Sequence, residues 1–104
     1  MKKNNDGLEP ETKQKIIDLS KAVIPDASIW LYGSRVRGDF TSNSDVDLLL
    51  ESSKGPIDFF TIAELKNVLS ASDISHRVDV VDYNSISDEK FKADIAGGRV
   101  LWKK

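Results

Sequence analysis

Cysteine is absent from the 104-residue chain, and histidine occurs once, at His76. The first absence excludes disulfides, thiolate zinc sites and cysteine nucleophiles. The second excludes multi-histidine metal sites and leaves a Ser-His-Asp triad only one residue to use. An excess of either charge is also missing: 15 basic and 17 acidic side chains give a net charge of −2. Long nucleic acid is therefore a poor partner, because binding it means neutralising many phosphates with Lys and Arg. No run approaches the ~20 apolar residues of a membrane span, and no signal-peptide stretch follows Met1-Lys2-Lys3. The expectation is a cytoplasmic protein without membrane contact. Any metal should be a hard cation on oxygen ligands, magnesium or manganese before zinc.

The length fits one domain with a real core. Residues 1–9 are polar and read as a flexible tail, and 10–104 as the domain. Pro10 suits a first helical position, and Ile16, Leu19 and Val23 recur at helical spacing up to Pro25-Asp26. Ser28 to Tyr32 reads as a buried strand ending at Gly33, followed by one helical turn, Ser34 to Arg37, which Gly38 closes. Asp45 to Glu51 is the second strand, and its Leu48-Leu49-Leu50 run implies burial on both faces. Asp58 is placed to cap a helix running to about Ala71, with Ile62, Leu65 and Leu69 on one side. A third strand is expected over His76–Asp82, a last helix from about Ser87 to Ala96 stopping at Gly97-Gly98, and a short strand over Arg99–Trp102. The fold class is thus α/β in the α+β sense: a short mixed sheet of about four strands with helices packed on it.

That order gathers the polar motifs. Gly33-Ser34 ends the first strand, and Asp45 and Asp47 begin the second; antiparallel pairing puts both on one edge of the sheet. The helical connection to the third strand suits a parallel crossover, which returns the chain to that edge and brings Asp79 beside Asp47. Residues i and i+2 of a strand share a face, so Asp45 and Asp47 project together while Val46 enters the core. Three carboxylates within about 5–6 Å repel by roughly 3 kcal/mol per pair at an effective dielectric of 20. A divalent cation relieves that repulsion most simply, so Asp45, Asp47 and Asp79 are the candidate metal-binding and catalytic residues.

Gly33 lets backbone approach a ligand closely, and Ser34 offers a hydroxyl and an amide where phosphate is welcome. Arg37 is read either as a charge-assisted phosphate contact or as folded back onto the loop at Asp39. Ser44 orders the turn before Asp45 through side-chain-to-backbone bonding. Arg35 stays open between a surface charge and a second phosphate contact. Asp82 reads as a solvated or capping acid, His76 as a surface residue at strand entry, and Trp30 and Trp102 as core or partner contacts.

Taken together, Gly33-Ser34-x-x-Arg37-Gly38 and Ser44-Asp45-x-Asp47-Leu48 resemble the signature of the polymerase-β-like nucleotidyltransferases, specifically their minimal stand-alone MNT proteins. The resemblance runs from the first helix to Gly97-Gly98-Arg99-Val100-Leu101, with Val36 where the family usually has Ala. It implies magnesium-dependent transfer of AMP from ATP to a hydroxyl, with manganese as an alternative ion. Gly33 and Ser34 would hold the triphosphate, joined by Arg37 and Ser44 as nucleotide-binding residues. Asp45 and Asp47 would bind the metal carried by the nucleotide, and Asp79 would complete a second metal site and help activate the acceptor. Members of this class often act as antitoxins beside an all-helical HEPN protein, some by adenylylating it. Larger relatives position the acceptor with a further domain, so a partner chain or a second copy is expected to complete the site. The competing expectations are a binding module that neutralises its partner by occlusion and a small-molecule nucleotidyltransferase.

Overall fold

Alternation along the strands decides which face of the sheet is core. The computed structural model describes residues 6–104. Its elements are α1 (Pro10–Val23), β1 (Ala27–Tyr32), α2 (Ser34–Arg37), β2 (Val46–Ser52), α3 (Phe59–Ala71), β3 (Val78–Asp82), a 3-10 turn (Tyr83–Ser85), α4 (Glu89–Gly98) and β4 (Val100–Lys103). Ala27, Ile29 and Leu31 of β1 pack with Val46, Leu48 and Leu50 of β2 and Val80 of β3. Against them lie Ile16 and Ile17 of α1 and Leu65 and Leu69 of α3, so two helices cover this face. Leu49 is also fully buried, on the opposite face, as the unbroken leucine run implied. There Ile95 of α4 is buried, and the Arg99 guanidinium lies 3.7 Å from the Trp30 ring centroid and 4.6 Å from that of Tyr83. Arg99 also donates to Glu51 at 2.9 Å.

The sheet order is β3-β2-β1-β4. β1 runs antiparallel to β2 and β4, while β2 and β3 are parallel across the α3 crossover. The expected topology therefore stands. Asp58 caps α3, its side chain accepting from the Phe60 and Thr61 amides.

Three local expectations are corrected. The strand expected from His76 begins only at Val78; Arg77 just before it takes part only through its carbonyl, which accepts from the Val46 amide at 2.8 Å. Gly97 and Gly98 do not stop the last helix but form its final residues, and Arg99 is the first extended one. The next residues pair with β1, and that tertiary pairing sets the boundary in place of glycine's weak helix propensity. Finally, the tail expected over 1–9 is not loose throughout. Leu8 is fully buried in the core and Asp6 accepts from the Leu8 amide at 3.0 Å, while residues 1–5 lie outside the described residues.

Candidate active site

Asp47 is the hub of the polar edge. In β2 it is the partner of Tyr32 on one side and of Asp79 on the other. Residues paired in register share a face, so the Tyr32, Asp47 and Asp79 side chains rise together from the sheet. Val46 goes into the core with no exposed surface.

The electrostatics follow from that placement. Burial raises the Asp47 carboxyl above its ordinary value, the charges of Asp79 and Asp45 raise it further, and Arg37 and Arg35 pull it back. The Tyr32 phenol is pushed up to about 12, first by burial and then by the charges of Asp47 and Asp79. The edge thus concentrates negative charge in a partly dehydrated position.

The expected convergence of three carboxylates is met only in part. Among the described residues, no three His, Cys, Asp or Glu side chains are gathered closely enough to hold a metal ion. Asp45 lies one residue before β2 begins, and its carboxylate is 4.0 Å from the Arg77 Nε. Its charge nonetheless reaches Asp47 and helps to raise that carboxyl. The donor chemistry still suits a hard divalent cation: all oxygen, in charge excess, with Asp47 and Asp79 in register.

The Gly33 turn lies directly on Asp47. Gly33 has φ +83° and ψ −151°, a region nearly closed to other residues. A β-carbon there would sit 2.2 Å from Asp47 Oδ2. Only glycine lets the turn and the carboxylate approach this closely. α2 follows at once, the Val36 and Arg37 amides donating to the Gly33 carbonyl and the Gly38 amide to that of Ser34. Ser34 therefore stands at the opening of the turn, beside the hub.

The two arginines of α2 divide their work. Arg35, open in the sequence between surface and phosphate, is buried, so it is not a surface charge. Its guanidinium donates to the carbonyls of Asp6 at 2.7 Å and Ser44 at 2.8 Å, lies 3.4 Å from His76 Nδ1 and stacks over Phe40. Arg37 is exposed, its Nε 3.4 Å from Asp39 Oδ2, and it also lines the cleft beside Asp47. Both readings of Arg37 thus have a physical basis. Ser44 does what its position suggested: its hydroxyl accepts from the Thr41 amide at 2.9 Å and orders the loop before Asp45. His76, expected at the surface, is half-buried against Arg35.

A cleft of about 480 Å³ opens from this edge, lined by Tyr32, Gly33, Arg37, Asp47, Phe91, Asp94, Ile95 and Gly98. Phe91 and Asp94 had not been singled out from the sequence. Their only trace there is a spacing of three in a helix that ends beside Gly33. A second cleft, of about 440 Å³, borders Asp79 from the outer side of β3 and includes Lys66, His76 and Arg77.

Known proteins share this architecture. Over 67 residues the chain is 39% identical to the Haemophilus influenzae protein named Probable protein adenylyltransferase MntA, an alignment spanning 64% of this chain and 58% of that relative. A chain of a toxin–antitoxin crystal structure with AMP-PNP superposes with a TM-score of 0.72 at 30% identity, covering 88% of this chain and 73% of that one. A chain from the complex of a tri-AMPylated Shewanella oneidensis HEPN toxin with an MNT antitoxin gives a TM-score of 0.68 at 26% identity, covering 93% and 74%. The family model described as Polymerase beta, Nucleotidyltransferase matches residues 9–104, and on that span, with its glycine turn seated on a strand carboxylate, this chain belongs to that family.

Proposed function

We propose that this chain transfers AMP from ATP to a hydroxyl on a HEPN-type helical protein. The observation that carries the reading is the register Tyr32–Asp47–Asp79 with Gly33 packed onto Asp47, which sets a phosphate-binding turn against paired carboxylates. The relatives lend support: one is named an adenylyltransferase, one similar structure contains AMP-PNP and another an AMPylated HEPN toxin.

In this reading Ser34 and the Gly33 turn hold the β- and γ-phosphates, with Arg37 as a charged contact. Asp45, Asp47 and Asp79 are the ligands for magnesium or manganese. A bound divalent cation supplies charge stabilisation to the attacking and leaving oxygens. Asp79 takes the proton of the acceptor hydroxyl as that oxygen bonds to the α-phosphorus. The bond from the α-phosphorus to the bridging oxygen breaks, and pyrophosphate leaves. The partner, or a second copy of this chain, covers the open edge and presents the acceptor.

The test is intact mass of the partner after incubation with this chain, ATP and magnesium. One or more AMP additions are expected with wild type and none with Asp47→Asn. Equal, unchanged masses would refute transfer to that partner. Because the three carboxylates are not gathered as they stand, occlusion is the second reading. Full neutralisation by Asp45→Asn/Asp79→Asn would select it.

A further inference from the structure

The cleft beside Gly33 extends along α4, and its lining changes in chemistry with distance from the turn. β4 pairs Val100 with Leu31, which fixes the C-terminal end of α4 next to the end of β1, where Gly33 lies. Gly98, Asp94 and Phe91 all line the cleft. At 1.5 Å of rise per residue, Asp94 lies about 6 Å and Phe91 about 10 Å along the helix from Gly98. Asp94 and Phe91 are three apart and so neighbours on one helix face, while Ile95 anchors that helix to the sheet.

We propose that this face of α4 is a nucleoside-recognition surface, with Asp94 accepting hydrogen bonds from the ribose hydroxyls and Phe91 stacking on the base. This deepens the nucleotidyl-transfer reading and rests on it.

The order of groups matches the order of parts in a nucleotide. Phosphates held at Gly33 and Ser34 leave the sugar opposite the next turn of α4 and the base one turn further. A carboxylate accepts and never donates, so Asp94 repels phosphate and suits a vicinal pair of hydroxyl donors. Phe91 is 46% exposed, an apolar ring in water, and offers a stacking face that any base can use. Gly98 contributes space: a β-carbon added there meets nothing within 4 Å, and the residue borders the cleft. The chain should therefore distinguish ribose from a sugar lacking its hydroxyls far better than it distinguishes one base from another.

Calorimetric titration of the full chain with ATP and with 2′,3′-dideoxy-ATP, in magnesium, tests this directly. Wild type is expected to prefer ATP by about tenfold, as for hydrogen bonds to a charged acceptor. Asp94→Asn should bring that ratio close to one with little change for the dideoxynucleotide. Phe91→Leu should weaken both about equally, by about fivefold or more. Gly98→Leu should weaken both by obstruction. Asp94 is exposed, so its substitution leaves the core intact. An unchanged ATP-to-dideoxy ratio in Asp94→Asn overturns the inference. Wild type that binds neither nucleotide refutes the transfer reading as well. Binding with an unaltered ratio refutes only the role of α4.

Discussion

Asp79 and Asp82 stand three residues apart on one strand, and their surroundings are opposite. Asp82 is buried, and its carboxylate accepts from the Ile57 amide, the Asn84 amide and the Ser85 hydroxyl. Three donors thus satisfy its two oxygens where they are buried. At the other end of β3, Asp79 faces Asp47 in register, and its charge raises the Asp47 carboxyl instead of relieving it. One end of the strand is settled by folding. The other keeps a repulsion that an added positive charge would remove, and this difference, more than the number of acids, marks the candidate active end.

The largest effect is expected from moving Asp47 without touching its charge. Gly33→Ala places a methyl carbon 2.2 Å from Asp47 Oδ2, which must move, and imposes strain of about 1–3 kcal/mol at a positive φ. AMP transfer, read by partner mass, is expected to fall about a hundredfold, the scale of a misplacement near 1 Å. Asp82→Ala tests the settled end. It leaves the Ile57 and Asn84 amides without their acceptor, and urea melts should show a loss of about 2–4 kcal/mol with nucleotide affinity nearly kept.

Asp47→Asn sharpens the contrast by changing its sign. A carboxyl held above its ordinary value makes the folded state bind more protons than the unfolded one. Stability therefore falls as pH rises from the ordinary carboxylate range through the raised value. Removing that ionisation should stabilise the metal-free protein at neutral pH, by less than about 1 kcal/mol for a half-exposed charge, while abolishing transfer. The smallest effect is spectroscopic. In a Tyr83→Phe background Tyr32 is the one remaining phenol, and its absorbance should titrate near 12, with stability declining between pH 10 and 12. Asp47→Asn should lower that midpoint, and an unmoved midpoint would contradict the shared-face geometry.

Much of this was readable in the residues. Period two placed Asp47 and Asp79 on polar faces, and the helical crossover from β2 to β3 forced them to one edge, because short-range pattern and topology agree there. What the chain hid depends on distant partners. Nothing local distinguishes Arg35 from Arg37, yet the first is buried because Asp6, Ser44 and His76 surround it from three other parts of the chain. Asp45 has Arg77 Nε at 4.0 Å, a partner thirty-odd residues away that nothing local announces. The extension of α4 through two glycines is likewise set by β4 pairing, and with it the cleft that Phe91 and Asp94 line.

Arg35 also ties the beginning of the chain to chemistry far from it. The guanidinium that grips the Asp6 carbonyl holds the Ser44 carbonyl with its other nitrogen, one residue before Asp45. Shortening the chain past residue 6, or fusing a bulky tag close to it, is thus an intervention on the loop before Asp45, and such variants report on the candidate site as much as on the altered terminus.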